Sequence, residues 1–457
     1  MHRFLGFLLG ACFTSVGFSQ SPVVIKQAEL FPKDQTIEIY SYFNGNQKLL
    51  KSIKLVSKDS VVITEFKNPG LYFIGMKGFK TKAEFIYNPK ENICLELIPD
   101  LANGGISIER SKDNICYNDL LKINTVYDHF LDSIQTNRRD IHYTTEDFYG
   151  RCFFLDSLYE TVANEKNGRL TYLQYSYPET YTSEVLVPLC LIPVATMQEK
   201  PKYQTPDAFQ SKFFFKYIKA DSRILYHYAL DDKLLQLISK YTYPTTEGIK
   251  KSIDYINETF KSDTAITSYV SNFLIKTFLE AKSPDLALYI MSNSSEGCSF
   301  DLGEKQSEYL SNYTHVQLGA QVDDIILNDV TGTPISLSNT CKKTEINILI
   351  FWTTWCVHCK KVLPELKDFL ASYKGKVNVF AVSLDESKED WTNFVTKNEL
   401  TSWVHVSELK KIEKSTLAPR FMVTHTPTIY LLDKERKILA KNLNKDQLIV
   451  ELQSRLK

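Results

Sequence analysis

An apolar run, Asn347 to Trp352, gives way to a helix-like pattern at Val357, and two thiols three residues apart, Cys356 and Cys359, sit where the two meet. A strand that feeds a helix through Phe351-Trp352-Thr353-Thr354-Trp355-Cys356-Val357-His358-Cys359 constrains the fold more than any other stretch of the chain. A Cys-x-x-Cys pair can be half of a metal site, two inert core thiols or a redox dithiol. With nine Cys in 457 residues, the spacing alone does not choose among them.

The length exceeds what one compact core needs and implies several domains. Lys plus Arg equals Asp plus Glu at 54 each, so charge points to neither nucleic acid nor an anionic membrane surface. The N-terminus is more specific: Met1-His2-Arg3 is cationic, Phe4 to Val16 is apolar, and Gly17 and Ser19 are small residues suited to cleavage before Gln20. This pattern predicts a signal peptide over 1–19 and export to the periplasm. Leu9-Gly10-Ala11-Cys12 resembles a lipoprotein box, but Cys12 comes early and more apolar sequence follows it, so lipid anchoring is the minority reading. Export places the thiols in an oxidising compartment, where a dithiol cycles only if a partner supplies or removes electrons. Six further Cys, at 94, 116, 152, 190, 298 and 341, are irregularly spaced and read as buried free thiols rather than a disulfide scaffold.

Three patterns follow one another. Residues 22–112 alternate apolar and polar in short runs broken by Asn44-Gly45, Pro69-Gly70 and Asn103-Gly104, which predicts an antiparallel β-sandwich. Residues 113–312 repeat apolar positions every three to four, as in Ile266, Tyr269, Val270, Phe273, Leu274, Thr277 and Phe278, and Ser283-Pro284-Asp285 opens a further helix. Residues 317–457 alternate strand and helix in a βαβ then ββα order, which predicts a central sheet between helices. The fold class expected is multi-domain α+β: an N-terminal antiparallel β-sandwich, a central helical domain and a C-terminal α/β/α domain.

That last third resembles the TlpA/ResA-like branch of the thioredoxin-fold family. The resemblance rests on Gly332-Thr333-Pro334-Ile335-Ser336-Leu337 as a first hairpin and on Phe351-Trp352-x-x-Trp355-Cys356-x-x-Cys359 as the active-site signature. It rests also on Pro364 within the following helix and on Thr426-Pro427-Thr428 at the family's cis-proline position. It implies a thiol-disulfide oxidoreductase in which Cys356, at a helix N-terminus, is the nucleophile and Cys359 resolves the mixed disulfide. Trp355, Thr426 and Pro427 would line the substrate contact, and His358 would tune the Cys356 thiolate. No cofactor and no metal are expected: Cys341, His405 and His425 are the nearby candidate ligands, and no second ligand pair accompanies the dithiol. The partners implied are substrate proteins bearing disulfides or thiols and an unidentified membrane or periplasmic electron donor. The two N-terminal modules would serve partner binding or a homodimer.

Two positions depart from the family. Val362 stands where TlpA/ResA-like proteins carry a Glu, and Ile350 stands where thioredoxin has its buried acid, so proton transfer at Cys359 must use water, His358 or another group. Glu365, the nearest acid downstream, is expected on the helix surface. Reduction of substrates is the expected direction; the His in Val357-His358 resembles oxidases and isomerases and keeps the oxidising alternative open. A third reading uses the fold as a binding platform without redox chemistry.

Overall fold

The computed structural model describes residues 21–27, 35–55, 60–98, 105–203, 205–294 and 300–456. The expected signal peptide with Cys12, the turn at Asn103-Gly104 and Cys298 lie outside the described residues. The chain divides into two compact units, Met1–Thr277 with Asp285–Phe300, and Phe278–Pro284 with Asp301–Lys457.

In the first unit, eight strands form two four-stranded sheets: β1 (Val23–Gln27), β2 (Thr36–Phe43), β3 (Asn46–Lys54), β4 (Val61–Ile63), β5 (Gly70–Met76), β6 (Ala83–Tyr87), β7 (Ile93–Leu97) and β8 (Ile106–Arg110). The sheet orders are β4-β1-β7-β8 and β3-β2-β5-β6. Alternate residues of both sheets, among them Val23, Ile25, Ile39, Ile74, Phe85 and Leu95, meet in one core, as a sandwich requires. Phe66 fills its centre, stacked on Tyr87 at 4.9 Å and edge-on to Tyr72 at 4.9 Å. One detail differs from the expectation: β1 pairs parallel with β7, so the sandwich is mixed rather than wholly antiparallel. Asn44 and Gly45 have φ of 49° and 75°, the two left-handed residues that a tight β2–β3 hairpin needs.

Helix Lys112–Asp140 follows, capped by Ser111, whose hydroxyl accepts the Asn114 N–H at 3.0 Å. Its first turn carries buried polar side chains with structural work. Strand β6 is a sheet edge, and the Asn114 amide completes it, accepting from Ile86 N at 2.7 Å and donating to Ile86 O at 2.8 Å. Asp113, fully buried, accepts from Tyr181 N at 2.6 Å, Thr182 N at 2.9 Å and Asn88 Nδ2 at 2.8 Å. Helix Phe148–Ser176 runs back antiparallel, shown by the pairs Arg138–Asp156 and Lys166–Asp128. Further on, the stripe expected on helix Thr264–Glu280 is buried at Ile266, Val270, Leu274 and Phe278, and Pro284 opens the next helix, Pro284–Asn293.

The second unit begins its regular structure with helix Glu304–His315, which crosses the expected boundary at 312. Its seven-stranded sheet has the order β10-β9-β13-β12-β11-β14-β15. The strands are β9 (Ile326–Asp329), β10 (Pro334–Ser336), β11 (Ile346–Trp352), β12 (Val377–Ser383), β13 (Val404–Ser407), β14 (Thr428–Asp433) and β15 (Ile438–Lys441). Every residue of β11 is buried, because cores cover both faces. Ile346, Ile348, Ile350 and Trp352 pack with Cys359, Leu363, Leu366 and Trp391 on one side, while Leu349 and Phe351 pack with Phe380, Val382 and Tyr430 on the other. The parallel pair β11–β12 is joined through helix Val357–Leu370 as a crossover, and Lys388–Lys397 joins β12 to β13 in the same way. Lys445–Arg455 closes the chain, begun by an Asn444–Gln447 capping box.

Replacing Asn114 with Leu keeps the volume and strands one N–H and one C=O of β6. We expect a loss of about 2–5 kcal/mol in the first unit. Urea unfolding followed by far-ultraviolet circular dichroism checks this, with tryptophan fluorescence reading the second unit, where all four Trp lie.

Candidate functional site

Strand β11 ends at Trp352, and the turn Thr353-Thr354-Trp355 delivers the chain to Cys356, which is the N-cap residue of helix Val357–Leu370. A helix start leaves N–H groups unpaired. Here the Cys356 sulfur takes the place usually held by a Ser or Asp oxygen, accepting the Cys359 N–H at 3.2 Å. As a thiol it donates to Thr426 O at 3.1 Å. The Thr426–Pro427 peptide bond is cis. The nine residues between Phe351 and Cys359 and the Thr426-Pro427 pair, 70 positions apart in sequence, therefore meet at one sulfur.

The two thiols are unlike. Both are free, and Cys359 is fully buried while the Cys356 residue retains 8% exposure. Burial alone would push Cys356 up. Hydrogen bonds from the Cys359 thiol, the Thr426 hydroxyl and the backbone N–H groups of Cys359 and His358 overcome that and hold it below the ordinary thiol range. Burial pushes Cys359 up to about 12, with its hydrogen bond to Cys356 adding to the rise. The two thiols are thus pushed in opposite directions, Cys356 toward thiolate and Cys359 toward thiol.

The flanking residues make the approach. Trp355 and Val357 are 61% and 77% exposed, an apolar rim on either side of the sulfur. The His358 side chain is also exposed, and the group it directs at Cys356 is its backbone N–H. His425 is exposed, with Nδ1 3.3 Å from Thr424 Oγ1. His405 is buried on β13, its Nε2 donating to Leu400 O at 2.9 Å, and burial holds its imidazole down to about 4. Cys341 is fully buried and pushed up to about 12. Among the described residues, no three His, Cys, Asp or Glu side chains converge as metal ligands. Ile350 is fully buried in β11 and Val362 half-buried on the helix, so apolar side chains occupy both positions where the family resemblance implies acids. Glu365 pairs with Lys445 at 2.5 Å, which holds its carboxyl below the usual range.

One residue escaped the sequence reading. Asp385, 4% exposed just beyond β12, accepts from Thr354 N at 3.0 Å, Thr354 Oγ1 at 2.8 Å and Ser383 Oγ at 2.8 Å. It ties the turn that carries Trp355 and Cys356 to the neighbouring strand, and the Thr353 backbone N–H of that turn faces the Cys359 sulfur. The available signal was Ser383-x-Asp385 at the carboxyl end of a parallel strand, where sites in such sheets gather.

A thioredoxin-type sheet with a dithiol at the start of its first crossover helix defines a thiol-disulfide exchange protein. The thioredoxin-like family model matches residues 344–438. The thiol-disulfide oxidoreductase ResA of Bacillus cereus is 30% identical over 127 residues, covering 28% of this chain and 69% of that protein. The sporulation thiol-disulfide oxidoreductase A of Bacillus subtilis is 28% identical over 117 residues, 25% of this chain and 66% of its own length. A solved thiol-disulfide oxidoreductase from Bacteroides fragilis is 26% identical, covering 29% of this chain and 97% of that one, with a TM-score of 0.27. Through its C-terminal third the chain belongs to the ResA-like thiol-disulfide oxidoreductases.

Removing the Asp385 carboxylate strands the Thr354 N–H in a partly buried turn. Asp385→Ala should cost the second unit about 2–4 kcal/mol and open Cys359 to alkylation, with Asp385→Asn recovering part of both. Tryptophan-monitored urea unfolding and mass-resolved iodoacetamide labelling measure the two effects.

Proposed function

We propose that the chain is an exported reductase of protein disulfides, with Cys356 as nucleophile and Cys359 as resolving thiol. The observation that carries the exchange chemistry is the asymmetry of the pair, with Cys356 held below the ordinary thiol range at a helix start and Cys359 buried with its thiol pushed up; the reducing direction rests on the exposed His358. The Cys356 thiolate attacks one sulfur of a substrate disulfide, forming a mixed disulfide and releasing the other sulfur as a thiolate that takes a proton from solvent. Cys359 then loses its proton and attacks Cys356 Sγ, releasing the second substrate sulfur. Two electrons have passed to the substrate, and the chain is left with a Cys356–Cys359 disulfide. A dithiol donor on a membrane or periplasmic partner must reduce it again.

Trp355, Thr426 and Pro427 are the proposed substrate contacts. Thr426 O, which meets Cys356 in the resting thiol, is the acceptor an extended substrate backbone would use. His358 bears on direction. A buried imidazolium beside the sulfur would favour the reduced thiolate and make the chain an oxidant, whereas an exposed one is screened by solvent. This favours reduction over the oxidase or isomerase reading. Val362 and Ile350 leave the Cys359 proton to water, which makes resolution of the mixed disulfide the slow step. Export rests on the leader-like residues 1–19 and fits a periplasmic thiol cycle; among the described residues, no helix is long and apolar enough to cross a membrane. The sandwich over 22–112 and the helices over 113–312 are proposed to select partners or form a homodimer.

Equilibration with glutathione should give a Cys356/Cys359 potential of about −250 mV or below. A value near −120 mV, that of a strong oxidant, would reverse the direction. Cys359→Ser should accumulate mixed disulfides through Cys356 in its own compartment, and their absence would favour a platform without redox turnover.

A further inference from the structure

Far from the dithiol in the sequence, the helical part of the first unit encloses a cavity of about 500 Å³, within the range of small-molecule sites. Helices Lys112–Asp140 and Phe148–Ser176 form two sides, and residues 186–193 and 227–241 supply much of the rest. Leu120, Leu131, Leu189, Ile192 and Phe214 give it an apolar wall, and Asp128, Asp132 and Asp232 also line it. Three ammonium groups line it as well, those of Lys166, Lys233 and Lys240. Lys166, 2% exposed, is bonded to Asp128 at 2.6 Å. Lys233 has no such partner: its Nζ meets Gln236 Oε1 at 3.2 Å and lies 4.7 Å over the Phe214 ring. The Asn124 amide nitrogen lies 3.2 Å from Cys190 Sγ, and its Oδ1 is buried without a hydrogen-bond partner among the described residues.

Lys233 faces Asp128 from the first helix, Lys166 from the second, Cys190 from the segment after it, and Lys240 from its own stretch. Lys166 pairs with Asp128 and Lys240 with Asp132, which leaves Lys233 without an ion-pair partner among the described residues, beside an exposed Asp232 that also lines the cavity. A half-buried charge of this kind costs free energy unless something pairs it.

We propose that this cavity binds an apolar molecule bearing one carboxylate, with the carboxylate on Lys233 and the apolar body against the leucine and aromatic walls. Asn124 Oδ1 offers an acceptor to a hydroxyl on such a molecule. The cost of burial is visible in the site: desolvation, with Lys166 nearby, brings the Lys233 amine down to about 8. A bound carboxylate would raise it again, so ligand uptake and proton uptake are linked. Affinity should therefore be full between about pH 6, where the ligand is ionised, and about pH 8, and fall as the free-site amine loses its proton above it.

Dodecanoate is a suitable probe, with dodecan-1-ol and dodecylammonium as controls of the same chain length, titrated calorimetrically into the full-length protein. Dodecanoate should bind once per chain, at least tenfold tighter than the alcohol, and dodecylammonium should not bind. Lys233→Gln should weaken dodecanoate at least tenfold at pH 7. Lys233→Arg should retain binding and abolish the decline above pH 8, a readout that damage to the fold would not produce; circular dichroism verifies that both variants fold. Absence of dodecanoate binding, equal affinity for acid and alcohol, or an unchanged affinity in Lys233→Gln would each overturn the proposal. The dithiol plays no part in these readouts.

Discussion

A helix that begins on a cysteine must satisfy its first N–H groups with sulfur, and the redox site of this chain depends on that arrangement. Sulfur is a weak acceptor as a thiol and a strong one as a thiolate, so the N–H of Cys359 at 3.2 Å and that of His358 stabilise the charged form selectively. Each charge-assisted bond contributes about 1.5–3 kcal/mol, enough for a few of them to outweigh the partial burial that opposes charge. Cys359, one turn later and inside the core, receives the opposite treatment from the same helix.

The remainder of the second unit keeps that helix start in place. Burial on both faces of β11 fixes the direction from which the chain reaches Cys356, and Asp385 fixes the turn between strand and helix. Thr426-Pro427 brings a hydroxyl and a carbonyl to the sulfur from the far side of the sheet sequence. The site contains no acid at 350 or 362, so the fold stabilises the nucleophile without supplying an obvious proton acceptor for its partner. Slow resolution of the mixed disulfide is therefore part of the proposed function.

Legibility in the sequence followed the kind of force at work. Strands β11, β12 and β14 are apolar runs, and the helix starts at Ser387 and Asn444 have capping side chains, so burial and local hydrogen bonding announced them. Cys356 and Cys359 were legible because their chemistry is local to four residues. Strand β3 carries little signal in the sequence: most of its residues are exposed, so the alternation that marks a half-buried strand is missing, and β8 is only partly covered. Asn114 and Asp113 read as ordinary helix residues although they complete a sheet edge and bind the Tyr181–Thr182 backbone, a role set by partners 28 and about 68 positions away. Asp385 was missed for the same reason, its partner Thr354 lying 31 residues upstream. The parallel β1–β7 pairing was equally hidden, since a strand's sequence does not state the direction of its neighbour.

The central claim is that one helix start divides the dithiol into a nucleophile and a reserve. Reduced protein carrying 13C at the cysteine Cβ atoms, assigned with Cys356→Ser and Cys359→Ser, can be titrated by NMR from about pH 4 to about pH 11. The Cys356 resonance should move with a midpoint below about 8.5, while Cys359 stays in its thiol form through about pH 10. A shared midpoint at the ordinary thiol value, or Cys359 titrating first, would contradict the account.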